Sequence, residues 1–186
     1  MATMVVRAQT IEELMLTEAG RFLEVHRGLL REKPTEMSEG HNIAAELVTR
    51  QLVLQLDPAR FAVRSNAGRV RRGDETWYIP DVYVAVRAAP PSLRVASQRF
   101  EIFDEPLPLV VEIWSPSTGG YDVAAKLPEY MLRGDREIWF IHPGDLTLTA
   151  WRRRDDGSYA DSVHRGGRIE LAAVPGVVID LDALFA

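Results

Sequence analysis

The stretch PLVVEIWSPSTGGYDVAAKLPEY, residues Pro108–Tyr130, sets one carboxylate, Glu112, into an apolar run that is typical of a buried strand. The Ser-Pro-Ser sequence at 115–117 ends the strand pattern, and a helical segment follows it. A charge buried in a strand costs several kcal/mol unless another group pairs with it. Glu112 therefore needs a partner, and the two candidates are Lys126 and a bound metal ion.

The helical segment places Asp122, Lys126 and Tyr130 four residues apart, and so on roughly one face. Of the 22 lysines and arginines in the chain, only Lys126 and Lys33 are lysines, which hints at a specific role for a compact ammonium in this stretch. Pro128 removes a helical hydrogen bond, so the helix either kinks there or restarts with Pro128 in its first turn.

Composition indicates an ordinary soluble globular protein. We expect a single domain spanning residues 1–186, because 46% of the residues are hydrophobic and 26% are charged. No apolar run approaches the ~20 residues that span a bilayer, and the N-terminus lacks a signal-peptide pattern, so we expect a cytoplasmic protein without a membrane segment. The net charge of −5 argues against a nonspecific nucleic-acid coat, although it allows an enzyme with a local basic face.

The order of predicted elements indicates an α/β or α+β domain with a mixed sheet. A hairpin turns at His26-Arg27-Gly28, and Ser38 caps a long helix that runs to about Leu56 with Ile43, Leu47 and Leu54 in its core stripe. The remaining predictions are short strands between 61 and 86, a long loop at 87–106, a buried strand at 137–141, a hairpin between 146 and 163, and a closing strand and helix between 177 and 185.

A second carboxylate, Asp81, follows Pro80 and precedes the apolar run at 82–86. If that strand neighbours the strand of Glu112, the two carboxylates converge at one edge of the sheet. Mg²⁺ is usually bound by one or two carboxylates together with substrate phosphate, and it would act there as Lewis acid and nucleophile generator, with Lys126 holding the water or the phosphate. The alternatives are a turn residue at Asp81 and a simple ion pair between Glu112 and Lys126.

An ordered set of motifs then resembles a known family. PDVYV at 80–84, VVEIWSPST at 110–118, YDVAAKLPEYMLRG at 121–134 and REIWFIHP at 136–143 resemble the putative restriction endonuclease (Uma) family of the PD-(D/E)XK nuclease superfamily. The resemblance implies a restriction-endonuclease-like mixed central sheet flanked by helices, with an N-terminal β-hairpin and a long helix. It implies a homodimeric endonuclease that uses Mg²⁺ or Mn²⁺ and acts on nucleic acid, with DNA as the expected substrate.

The resemblance also assigns site residues. Asp81 matches the first metal-binding aspartate and Glu112 the acidic residue of the second motif, and these two would hold the metal. The lysine expected two residues after the glutamate is absent, since Trp114 stands there, and in this family it has moved into the following helix, where Lys126 stands. Glu24 and His41 resemble the family's hairpin glutamate and long-helix histidine, which would contact the metal, its water or the phosphate.

Two other functions remain open at this point. One is a catalytically inactive nucleic-acid-binding or scaffold protein on a nuclease fold. The other is a hydrolase using Ser115 or Ser117, although neither serine lies in a Gly-x-Ser-x-Gly turn. The arginines at 64–72 and 152–154 are candidates for phosphate contacts or for solvated surface.

Overall fold

The computed structural model describes residues 8–34, 37–89, 91, 101–116 and 119–186. The helices are α1 (Ala8–Met15), α2 (Glu39–Gln55), α3 (Gly119–Tyr121), α4 (Leu127–Arg133) and α5 (Leu181–Leu184), with a 3₁₀ turn at Glu18–Gly20 and a π-helical turn at Asp122–Lys126. The strands are β1 (Leu23–His26), β2 (Leu29–Glu32), β3 (Phe61–Ser65), β4 (Arg69–Arg72), β5 (Thr76–Tyr78), β6 (Val82–Val86), β7 (Ile102–Phe103), β8 (Leu109–Ile113), β9 (Glu137–His142), β10 (Thr147–Arg153), β11 (Tyr159–His164), β12 (Arg168–Glu170) and β13 (Val178–Asp180).

The main sheet has the strand order β11-β10-β9-β8-β6-β3. Strands β8 and β9 run parallel and the other neighbours run antiparallel, so the predicted mixed sheet is confirmed. In a strand, successive side chains point to opposite faces. Val111 accordingly packs with Val48 and Leu52 of α2, while Val110 packs on the other face with Tyr130 of α4. Glu112 shares the face of Val110, and that face carries the candidate site.

A second sheet, with strand order β2-β1-β5-β4-β7, contains the predicted N-terminal hairpin. The turn of this hairpin places Arg27 and Gly28 at φ values of 49° and 80°, the left-handed conformations that a two-residue hairpin turn requires. The loop predicted at 87–106 was wrong at β7, which pairs in parallel with β4, and residues 90 and 92–100 of that range lie outside the described residues. A strand of two residues is too short to leave a periodic pattern in the sequence.

The long helix α2 forms as predicted, with the Ser38 hydroxyl accepting a hydrogen bond from the His41 backbone N–H. Its predicted core stripe was wrong at Ile43 and Leu54, which are exposed, whereas Leu47 is half-buried and packs against the core. Smaller residues on another face of α2 contact the sheet, which lets the helix approach it closely; they are Ala44, Ala45, Val48 and Leu52. No helix in the described parts of the chain is long and apolar enough to cross a membrane.

The connection from β8 to β9 carries the helical segment α3–π turn–α4. Trp114, directly after β8, stacks on His142 at the end of β9 with ring centroids 4.3 Å apart. Gly119 begins the helical segment against the Trp114 indole, and a Cβ at this position would overlap that ring. The segment ends at Gly134, whose φ of 83° is the left-handed conformation of a helix C-cap.

We expect Gly119→Ala to lower the free energy of unfolding by about 1–3 kcal/mol, because the added methyl group forces the Trp114 ring out of place. Chemical denaturation measures this change, and a rise in tryptophan fluorescence, as quenching of Trp114 by His142 is relieved, reports the loss of the stack. Gly120→Ala is the matched control, since among the described residues no atom outside its chain neighbours and its own helix backbone lies within 4 Å of its Cβ position. Equal stability of the two variants would contradict the role given to the close approach of Gly119 to Trp114.

Candidate active site

Asp81 lies between β5 and β6, and its carboxylate reaches the end of β8. Strands β6 and β8 are antiparallel neighbours with Val82 opposite Val111, so the start of one lies beside the end of the other. The Ile113 N–H donates a hydrogen bond of 2.8 Å to Oδ2 of Asp81. The convergence expected for Asp81 and Glu112 is therefore found, and both side chains line the same small cavity.

Glu112 lies in the middle of the main sheet, only 1% exposed, and pairs in register with Phe140. Its Oε1 atom accepts a hydrogen bond of 2.5 Å from the Tyr130 hydroxyl and one of 3.2 Å from Nζ of Lys126. Its Oε2 atom is buried and has no hydrogen-bond partner among the described residues. One oxygen of this carboxylate is thus held in place while the other remains available to a ligand.

The Lys126 ammonium is surrounded by three carboxylates. Nζ lies 3.0 Å from Glu24, 3.1 Å from Asp122 and 3.2 Å from Glu112. Lys126 is 3% exposed, so these contacts are formed almost without water. Glu112 and Lys126 are therefore in direct contact, and Asp122, which the sequence places on the same helix face as Lys126, also takes part.

The π-helical turn accounts for the direction of Lys126. The Leu127 N–H donates to the carbonyl of Asp122, five residues earlier, so this turn is wider than an α-helical one. Helix α4 then starts with Pro128 in its first turn, where the missing N–H of proline costs nothing. Of the two outcomes considered for Pro128, the restart is the one observed, and Lys126 stays directed at the carboxylates.

Glu24 on the hairpin and His41 on the long helix, which the family resemblance assigns to the site, also lie in this cluster. Glu24, on β1, accepts a hydrogen bond of 3.0 Å from the Ile79 N–H in addition to its contact with Lys126. His41, in the first turn of α2, is fully buried, and its Nε2 lies 3.0 Å from Oδ2 of Asp81. His41 therefore contacts one proposed metal ligand directly, while Glu24 reaches Glu112 through Lys126.

The sequence reasoning missed Lys33. Its Nζ donates to Oδ1 of Asp81 at 2.8 Å and to the Ile79 carbonyl at 2.5 Å, and the residue is 7% exposed. The rarity of lysine was the signal that could have found it, because both lysines of an arginine-rich chain enter the same cluster.

The charges in the cluster do not balance. When all four carboxylates (Glu24, Asp81, Glu112 and Asp122) are ionised, they face two ammonium groups, which leaves an excess of two negative charges before His41 and the lining Arg31 are counted. Protonation of Glu112 lowers this excess to one. Burial, together with the carboxylates of Asp122 and Asp81, raises the pKa of Glu112 to about 8, although Lys126 acts in the opposite direction. Burial also acts to raise the pKa of Asp81, but the Lys33 ammonium and His41 outweigh it and lower that pKa.

The donor set fits a hard divalent cation. Magnesium is usually held by one or two carboxylates with water and phosphate completing its shell, and Asp81 and Glu112 supply two carboxylates beside a cavity with room for a water-sized group. The buried Oε2 of Glu112 is an oxygen ligand without another partner among the described residues. Within the described ranges, no group of three or more His, Asp and Glu side chains is arranged around a metal position.

The other candidate residues from the sequence do not line this cavity, and most of their described side chains form ion pairs or hydrogen bonds within the protein. Arg64, Arg71 and Arg72 form ion pairs with Glu101, Asp104 and Glu129, and Arg69 donates to the Gly20 carbonyl. Arg152 pairs with the buried Glu137. These side chains stabilise the fold. Ser115 is buried after β8 and Ser117 lies outside the described residues, so the serine-hydrolase alternative gains no support.

Comparisons with known proteins agree with this architecture. Residues 8–182 match the family Uma2, described as a putative restriction endonuclease, which confirms the resemblance seen in the sequence. A crystal structure of a putative nuclease belonging to DUF820 from Anabaena variabilis is similar, with a TM-score of 0.73, 18% sequence identity and 97% of each chain covered. At that identity the likeness shows the fold alone. No curated protein matches the chain.

We expect Lys126→Met to lower the free energy of unfolding of the metal-free protein by about 3–5 kcal/mol, because it leaves buried carboxylates without their cation. Urea denaturation in the presence of EDTA measures this loss. The double variant Lys126→Met/Glu112→Gln should recover part of the lost stability, since it removes one of the stranded charges. A Lys126→Met protein as stable as the wild type would show that the ammonium does not hold this cluster together.

Proposed function

The chain belongs to the Uma2 family of putative restriction endonucleases, and we propose on that basis that it hydrolyses phosphodiester bonds in nucleic acid as a metal-dependent endonuclease. DNA is the expected substrate and Mg²⁺ or Mn²⁺ the expected cofactor. The observation that carries the proposal is the buried cluster in which Asp81, Glu112 and Lys126 line one cavity while negative charge exceeds positive charge. A divalent cation would neutralise that excess.

Asp81 and Glu112 would hold the cation. When bound, a divalent cation supplies Lewis-acid polarisation of a phosphoryl oxygen and lowers the pKa of a coordinated water. The Tyr130 hydroxyl fixes one oxygen of Glu112, and the Ile113 N–H fixes one oxygen of Asp81, so both carboxylates are oriented before any ligand arrives. Such preorganisation avoids the cost of rearranging ligands at the moment of reaction.

Lys126 would act on the phosphate. Glu24 and Asp122 hold its ammonium beside the cavity and keep it charged, since these carboxylates and Glu112 raise its pKa despite burial. An ammonium fixed beside the reacting phosphorus stabilises the negative charge that grows on the phosphoryl oxygens. His41, against Oδ2 of Asp81, would position that carboxylate.

The mouth of the cavity offers one further cation. Arg31 lines it, and its guanidinium lies 3.7 Å from the centre of the Tyr121 ring, which also lines the cavity. A guanidinium in this place can bind the phosphate next to the scissile one.

The alternative is an inactive nucleic-acid-binding or scaffold protein, and one observation favours it. Both oxygens of Asp81 already have partners inside the protein, namely Lys33, His41 and the Ile113 N–H. In that function the carboxylates would serve only to hold α2 and the hairpin against the main sheet. A cation that takes Asp81 as a ligand must bind an oxygen that already has a partner in the protein.

We expect the purified protein to nick or cut DNA in the presence of Mg²⁺ or Mn²⁺, and Asp81→Asn and Lys126→Ala to reduce the rate at least about 100-fold. Gel assays on plasmid and on labelled oligonucleotides measure cleavage. Asp161→Asn, an exposed aspartate on β11, is the matched control and should cleave like the wild type. Unchanged cleavage by both site variants would mean that a contaminant causes the activity.

We expect Mn²⁺ to stabilise the wild-type protein, by about 2.7 kcal/mol when its concentration is 100 times the dissociation constant. Thermal denaturation with and without Mn²⁺ measures the effect, and calorimetric titration measures the affinity. Glu112→Gln should lose most of the stabilisation because it removes an anionic ligand. If Mn²⁺ neither binds nor stabilises the wild-type protein, the scaffold function is favoured.

A further inference from the structure

A second cavity lies beside the carboxylate cluster and has no role in the chemistry described above. Its volume is about 210 Å³, and it lies between the hairpin, the start of α2 and the end of β3. It is lined by Phe22, Lys33, Pro34, Met37, Asn42, Asn66 and Ile79. Drug-sized ligands usually occupy roughly 300–1,000 Å³, so this cavity suits a single small ring system.

The two cavities adjoin each other through shared residues. Lys33, Pro34 and Met37 line both of them. The Asn66 N–H donates a hydrogen bond of 2.9 Å to the Asp81 carbonyl, and Asn42 follows His41 in the first turn of α2. The second cavity therefore adjoins the cavity that Asp81 lines. In a nucleotide, the base is joined to its own phosphate through a single sugar, so the base and the phosphate can occupy neighbouring cavities.

The lining combines a flat apolar surface with amide groups. Phe22 is 40% exposed, and Arg21 covers one face of its ring, with the guanidinium carbon 4.3 Å from the ring centre. Met37 and Pro34 add half-buried apolar surface. Asn42 and Asn66 are exposed, and a carboxamide offers both a donor and an acceptor, as the edge of a nucleobase does.

We propose that this cavity binds one nucleobase of the substrate strand, unstacked from its neighbours, beside the phosphate that is cleaved. The base stacks on Phe22, and the carboxamides of Asn42 and Asn66 contact its edge. The inference rests on the proposed nuclease function and names its substrate class, which is nucleic acid that is unpaired at the cleavage site. A base inside a duplex would first have to be flipped out, at a cost of a few kcal/mol.

Binding of oligonucleotides without turnover tests this proposal. The probes are a fluorescent single-stranded thymidine oligonucleotide, its fully abasic counterpart and a duplex of the same length, measured by fluorescence anisotropy with Ca²⁺ in place of Mg²⁺. The wild type should bind the thymidine strand roughly tenfold more tightly than the abasic strand, because stacking of a base on an aromatic side chain contributes that much affinity. Phe22→Ala should lose this difference, and Asn66→Ala should reduce it.

Leu54→Ala is the matched control. Leu54 is also an exposed apolar residue, 12 positions beyond Asn42 on the same helix and so about 18 Å away along its axis. This variant should discriminate between thymidine and abasic strands like the wild type. A change of the same size in Leu54→Ala would overturn the proposal, since loss of any exposed apolar group would then account for the effect.

Other outcomes separate this inference from the proposed function. If the wild type cleaves DNA and Asp81→Asn does not, but thymidine and abasic strands bind equally, the nuclease function stands and the base pocket is refuted. If Phe22→Ala changes the molar mass in light scattering without changing the discrimination, a second copy of the chain fills the cavity and the base pocket is again refuted. If the wild type binds no nucleic acid and cleaves none, both proposals fail.

Discussion

The contact of one ammonium with three carboxylates is the constraint on which the site depends. Lys126 holds together Glu24 from the hairpin sheet, Glu112 from the main sheet and Asp122 from its own helical segment. Each carboxylate would be costly to bury alone, and the lysine would be equally costly without them. The same interaction therefore joins two sheets and concentrates negative charge at one cavity, so it has both a structural role and a proposed chemical role.

Much of the fold was readable from local patterns. The hairpin turn, the Ser38 cap and the main strands each have a signal in the sequence. The pairing of β6 with β8, which brings Asp81 beside Glu112, has no local signal and was only the condition on which that convergence depended. The core face of α2 was not readable, because two stripes of helical spacing compete and only the packing against the sheet selects the alanine-rich one. The strands β7 and β12 are two and three residues long, too short to show a period.

Site residues could be predicted from the sequence where a strong local signal coincided with the family resemblance. Residues of the site without such a signal were not predicted. Lys33 has no motif around it and reaches Asp81 only through the hairpin packing, which no local pattern reveals. Because arginine is so abundant in this chain, the rarity of lysine is itself a signal, and the structure places both lysines in the cluster. Arginine side chains form most of the described ion pairs away from the cavity, whereas the buried cluster takes the smaller ammonium, which fits among several carboxylates where a planar fork would not.

The π-helical turn has a consequence for how related chains are compared. A turn closed over five residues contains one residue more than a turn closed over four, so the extra residue sets the angle between the side chains that precede it and those that follow it. Because each helical residue rotates the chain by about 100°, a relative lacking one residue between 122 and 126 would direct a lysine at the aligned position away from the carboxylates. In such a family the length of the segment, as well as the identity of its residues, decides whether a chain retains the ammonium at the cavity.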